Sequence, residues 1–297
     1  MTQHVIVGYD GSDHAGVAVD WAATEAVSRG ARLTLLAATT VPTSGIGGRF
    51  GASVSPNAID DLLQRFTAQV ETHAAQVRVT HPGLTVDSRV VLGSPAFALV
   101  EESENADLVV VGSRGLGGFR GLLLGSVGTQ VATHANCPAV VIRQAPASTS
   151  NIVAVGVDGS EMSLAALDFA FDMADRHGWG VRAVRAWQLP VLNVMAAPIS
   201  PPPIDVDSVE ESERIAFAES LASLRAQHPG VTIEERILQG PPVRALLDAS
   251  ADAALLVLGT RGRGEFMGAV LGSVSQGVLH RAKIPVAVLG PSQPDEQ

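Results

Sequence analysis

The chain is written twice. "VIVGYDGS" at Val5–Ser12 returns as "VAVGVDGS" at Val153–Ser160, and "LVVVGSRG" at Leu108–Gly115 returns as "LLVLGTRG" at Leu255–Gly262. "HPG" begins at His81 and again at His228, and "LLGSV" at Leu123–Val127 is matched by "VLGSV" at Val270–Val274. Self-similarity over half of a 297-residue chain predicts two tandem domains of one fold. The register of the repeat slips by one residue between Pro190 and His228. A loop or a helix absorbs such a slip, whereas a central strand would turn its faces over. The expected domains are 1–144 and 151–291, joined by the polar, proline-containing "RQAPASTSN" of Arg143–Asn151.

Within a half, short apolar runs alternate with longer helical patterns. Val5–Gly8 reads as a strand, and Ser12 caps a helix with Val17, Trp21 and Ala22 on its apolar face, stopped by Gly30. Leu33–Ala38 is the next strand, followed by a glycine-rich loop and a helix from about Ala58 to Val79. A strand at Thr85–Leu92, a helix after Pro95, a strand at Leu108–Val111, a helix from Ser126 and a strand at Ala139–Arg143 complete the half. The second half repeats this order, with Ser160 as cap and Gly178 as stop. The alternation predicts an α/β fold, a parallel sheet covered on both faces, with any ligand at the carboxyl ends of the strands. "LVVV" and "LLVL" read as strands buried on both sides.

Each half carries glycines at one spacing: Gly112, Gly115 and Gly125 followed by Ser126, then Gly259, Gly262 and Gly272 followed by Ser273. Glycine permits positive φ and removes the Cβ that would keep a phosphate oxygen away. Gly125-Ser126-Val127 then opens a helix, whose first amides and dipole favour negative charge. Arg114, Arg120, Arg261 and Arg263 lie in the same stretches and would offset that charge. A glycine-rich surface that packs on another subunit is the bland alternative. Two other nucleotide signatures are missing. No Gly-x-x-x-x-Gly-Lys-[Ser/Thr] occurs, and the first strand ends in Gly-Tyr-Asp-Gly-Ser rather than a three-glycine dinucleotide turn.

Asp10 and Asp158 follow the first strand of each half. A carboxylate there repels phosphate and suits a ribose hydroxyl or an adenine amine, both donors. It equally suits support of its own turn through nearby amides.

A formal charge of −10 argues against a broad nucleic-acid surface. The one cysteine, Cys137, excludes a disulfide within the chain and reads as a buried apolar residue. No basic-then-apolar leader opens the chain and no apolar run reaches the ~20 residues of a membrane helix, so a cytoplasmic protein is expected.

Taken together, these residues resemble the universal stress protein family in its tandem form, over almost the whole chain. The glycine spacing is similar to that family's ATP-binding motif, present twice. The resemblance implies two Rossmann-like domains of the adenine nucleotide alpha hydrolase type. Each would be a five-stranded parallel sheet of order 3-2-1-4-5, and the halves would pair along Ala139–Arg143 and Val286–Leu289. It implies two ATP sites per chain, with Mg held through the phosphates. Asp10 and Asp158 would meet the ribose or adenine, and the main chain at Ala38 and Ala186 the adenine ring. Gly112, Gly115, Gly125, Ser126 and Val127 would surround one set of phosphates; Gly259, Gly262, Gly272, Ser273 and Val274 would surround the other. The implied role is a regulatory stress-response switch, with homodimers of such chains as an expected assembly.

Fast catalysis is not expected. An ATPase needs a positioned water, a base and a metal clamp, and no second motif supplies them. His81 and His228 sit in turns before the third strand, His134 and His280 near helix ends, and no metal-ligand spacing occurs. At most a weak ATPase is expected, or an adenylate-forming enzyme of the same fold. The latter normally carries a Ser-Gly-Gly-x-Asp-Ser turn that Gly-Tyr-Asp-Gly-Ser does not match. A scaffold without ligand is the third reading, and glycines kept at one spacing in both halves argue against it.

Overall fold

The computed structural model describes residues 3–40, 56–116, 124–143, 150–189, 205–262 and 271–290. The long loops after the second strand of each half, Arg120 and Arg263 lie outside them. The first half runs β1 (His4–Gly8), α1 (Asp13–Arg29), β2 (Arg32–Thr39), α2 (Pro56–Thr80), β3 (Val86–Leu92), α3 (Pro95–Glu102), β4 (Leu108–Gly112), α4 (Ser126–His134) and β5 (Ala139–Ile142). The second runs β6 (Ile152–Gly156), α5 (Glu161–His177), β7 (Gly180–Trp187), α6 (Val206–Gln227), β8 (Ile233–Gln239), α7 (Pro242–Ala249), β9 (Leu255–Gly259), α8 (Ser273–Arg281) and β10 (Val286–Leu289).

All ten strands form one sheet, ordered β3-β2-β1-β4-β5-β10-β9-β6-β7-β8. Each half is parallel in the order 3-2-1-4-5. The halves join where β5 and β10 pair antiparallel, Val141 opposite Val286 and Val140 opposite Ala287. The seam thus lies along the last strands, as the resemblance implies.

The physics of each element is local. Ser12 accepts a hydrogen bond from the Ala15 amide at 3.2 Å and so starts α1; Gly30, left-handed at φ 60°, ends it. Ala15, Ala18, Ala22 and Ala26 bury one face of α1, and their short side chains bring the helix close to the sheet. Ser160 and Gly178 do the same for α5. The central strand β4 is buried on both faces, with Leu108, Val109 and Val110 fully excluded from water. The edge strands are different. Asp87 and Arg89 on β3, and Glu234, Glu235 and Arg236 on β8, place charges along both free edges and discourage further strand pairing.

The halves also meet through α1 and α5. Glu25 is 2% exposed; it pairs with Arg29 one turn on and accepts from His177 Nε2 of the second half at 2.9 Å. Arg29 in turn reaches Met173 Sδ at 3.3 Å and lies over the Phe169 ring. Burial pushes the Glu25 carboxyl up, but the His177 hydrogen bond and the Arg29 charge more than offset it and hold the group below its ordinary range.

Candidate functional site

Strand order reverses between β1 and β4, and again between β6 and β9. The connections there leave in opposite directions and open a crevice beyond the strand ends. In the first half that crevice is a cleft of about 510 Å³. Asp10, Ala38, Gly112, Gly115, Gly125, Ser126 and Val127 all line it. The second cleft, about 460 Å³, is lined by Asp158, Ala186, Gly259, Gly262, Gly272, Ser273 and Val274. The fold therefore gathers these seven residues of each half into two matching places, each within the ~300–1,000 Å³ of ordinary small-molecule sites.

The glycines have a physical reason within the protein itself, beside the one their spacing suggests. Gly112, Gly115, Gly125 and their counterparts are not among the described residues with positive φ. What Gly112, Gly115, Gly259 and Gly262 lack is room beside protein atoms. A Cβ on Gly112 would stand 2.8 Å from the His14 carbonyl oxygen, and one on Gly259 would stand 2.6 Å from Cβ of Met162. A side chain at either place would therefore push the strand end off the first turn of α1 or α5. Gly125 and Gly272 donate to the carbonyls of Ser113 and Thr260 at 2.8 and 2.7 Å, folding the glycine segment back onto its strand.

Asp10 ties these parts together. Its Oδ1 accepts from the Ser12 amide at 3.0 Å and its Oδ2 from the Leu116 amide at 2.9 Å. Asp158 accepts from the Ser160 amide at 2.9 Å and the Ser160 hydroxyl at 2.6 Å. Both aspartates support their own turns, and the further lone pairs of Asp10 leave acceptor capacity for a donor in the first cleft.

Two of the helices that open on the clefts lack the side-chain caps that start α1, α5 and α6, as do α3 and α7. α1, α5 and α6 start on Ser12, Ser160 and Asp205, whose side chains accept from the first turn. α4 and α8 start on Gly125 and Gly272, with no side-chain cap. Their first residues, Ser126, Val127 and Gly128 in one and Ser273, Val274 and Ser275 in the other, line the clefts. Arg114 and Arg261 add one cation to each cleft. A concave site with bare helix amides, a cation and an opposed carboxylate suits a ligand with an anionic end and a donor-bearing end.

The universal stress protein family model matches residues 1–143 and 150–290. The chain belongs to the universal stress protein family. A universal stress protein of Mycobacterium tuberculosis is 34% identical over 296 residues, covering 96% of this chain and 97% of the relative. One of Mycolicibacterium smegmatis is 35% identical over 291 residues, covering 97% of each chain. The crystal structure of a universal stress protein from Archaeoglobus fulgidus is similar in fold, with a TM-score of 0.68 at 21% identity over 99% of this chain and 97% of that one.

For a universal stress protein of this tandem form, the structure adds site residues that spacing alone passes over. Ser113 is 1% exposed, lines the first cleft, and its hydroxyl has no hydrogen-bond partner among the described residues. The hydroxyl of Thr260, one repeat later, is likewise buried and without a partner among the described residues, although Thr260 does not line the second cleft. The recurrence of a hydroxyl in "GSRG" and "GTRG" is the signal that could have found them. Tyr9 lines the first cleft and stacks on His73 of α2 at 4.7 Å, while the second cleft has Val157 there. Cys137 lines neither cleft, and burial pushes its thiol up to about 12. Among the described residues no cluster of His, Cys, Asp and Glu could hold a metal, and no helix is long and apolar enough to cross a membrane.

Proposed function

We propose that the chain binds ATP in each cleft, one in the domain of residues 1–144 and one in that of 151–291, and acts as a nucleotide-dependent regulator. The observation that carries this reading is the pairing, twice, of an uncapped helix N-terminus with a carboxylate across one cleft. Phosphates would meet the first amides of α4 or α8, helped by Arg114 or Arg261, and divalent magnesium would ride on the phosphates. The ribose or adenine would donate to Asp10 or Asp158, and the ring would lie against the main chain at Ala38 or Ala186. The buried hydroxyl of Ser113 gives the first cleft a further donor. A ligand that binds one conformation better than another shifts the protein toward it by that difference in affinity. A homodimer of such chains belongs to the same proposal.

The decisive experiment is mass spectrometry of the nucleotide that co-purifies with the protein, followed by calorimetry of stripped protein with Mg-ATP. Near two equivalents of adenine nucleotide per chain are expected. Stripped protein that ignores ATP at millimolar concentration overturns the reading. Sedimentation with and without ATP reports the dimer.

A further inference from the structure

The two halves are held unequally at their seam. Arg143 directly follows β5 and reaches into the second half. Its Nη1 donates to the Ala282 carbonyl at 2.8 Å and its Nη2 to the His280 carbonyl at 3.0 Å. Ala282 is the C-cap of α8. The guanidinium therefore satisfies carbonyls that the last helical turn leaves open, at the negative end of the helix dipole. One repeat later the residue is Gly290. A Cβ placed there would stand 3.4 Å from the carbonyl oxygen of Ala135, which is the C-cap of α4. The same seat thus exists at both helix ends, and an arginine fills it in one direction alone.

What lies at the far end of α8 gives this asymmetry a use. Its first residues, Ser273, Val274 and Ser275, line the second cleft. A helix of nine residues spans about 13 Å, so α8 runs rigidly from that cleft to Arg143. Arg143 is in turn joined to the first cleft. The carbonyl of Ile142, just before it, accepts from the Ser113 amide at 2.8 Å, and Ser113 and Arg114 line that cleft.

We infer that Arg143 is a positioning residue through which the first half sets the amide cradle of the second cleft, so that occupancy of the first is felt at the second. The inference rests on the nucleotide reading of both clefts. Burial, and then the positive charge of Arg114, hold Arg143 below the ordinary arginine range. An anion on Arg114 offsets that repulsion and steadies Arg143 on α8, so the coupling is positive. Coupling between two sites is reciprocal, and each ligand tightens the other by the same factor.

The test uses the full chain, Arg143→Gly, which copies the second half, and Arg143→Lys, which keeps the charge but not the fork. In ligand-free protein, amide exchange across Ser273–Arg281 should rise about tenfold in Arg143→Gly, with exchange across Ser126–His134 unchanged. A two-site titration with Mg-ATP should show the second site weakened about fivefold when the first is filled, and the first weakened by the same factor when the second is filled but within about twofold when it is empty, with Arg143→Lys in between. Blocking the first cleft with Gly115→Val should weaken the second about fivefold, an effect absent in the Arg143→Gly background. Unchanged exchange across α8 would overturn the positioning role whether or not nucleotide binds. A second site indifferent to a blocked first cleft would overturn the coupling. Failure of the unaltered chain to take up ATP would instead overturn the nucleotide reading, the exchange arm still deciding the role of Arg143.

Discussion

Gly115 passes so close to Asp10 that a Cβ on the glycine would stand 2.3 Å from the carboxylate Oδ2. Gly262 and Asp158 stand in the same relation, at 2.4 Å. Even alanine must push the carboxylate aside or lift the glycine segment. Gly115→Ala is therefore expected to weaken ATP at the first cleft by tenfold or more, about 1.4 kcal/mol. The second cleft should change less. Asp10→Ala should act on the same site, and calorimetric titration of the two variants decides. Unchanged binding in both would remove Asp10 and Gly115 from the site.

The buried Glu25 ties α1 to α5, so its loss should be felt across the seam. Its carboxyl is held below the ordinary range, which places its stabilising contribution above the unfolded-state value. That contribution fades as pH falls through the lowered folded-state value. Glu25→Gln should cost about 3 kcal/mol at pH 7, since it leaves Arg29 and His177 facing a neutral group. The penalty should shrink toward pH 3. Urea unfolding at both pH values measures the difference, and an equal penalty at each would contradict the assignment.

The Cys137 thiol, pushed up to about 12 by burial, holds almost no thiolate near neutrality. A colorimetric disulfide reagent at pH 8 should therefore react with native protein at least a hundredfold more slowly than with urea-unfolded protein. Fast reaction in the folded state would point to an accessible, activated sulfur.

Gly178 offers a clean test of backbone strain. It ends α5 at φ 65°, and a Cβ there would meet no atom within 4 Å. Gly178→Ala should then cost about 1 kcal/mol from conformation alone, seen as a lower denaturation midpoint with unchanged nucleotide binding. A loss above about 3 kcal/mol would mean that a contact, rather than left-handed geometry, sets the need for glycine.

Much of this architecture is legible in the residues. Ser12 with Gly30, and Ser160 with Gly178, bracket their helices because capping and left-handed closure are local chemistry. The double apolar run "LVVV" marks a central strand because burial on both faces suppresses alternation. The duplication itself locates both clefts. Other features hide because they depend on partners far away in the chain. The glycines at Gly112 and Gly259 look like phosphate clearance in sequence, and only in space do they also make room for the first turns of α1 and α5. Glu25 reads as one more helix charge until His177, in the other half, is brought to it. Arg143 and Gly290 occupy matched positions whose difference means nothing until the seam sets one of them on α8.

The antiparallel meeting of β5 and β10 has a further result. Strands of one half point against those of the other, so the two clefts open on opposite rims of the continuous sheet. The chain is two-ended, with its doorways back to back. A partner whose footprint takes in one doorway leaves the other facing water, and a loaded chain is in this sense bivalent without forming any dimer.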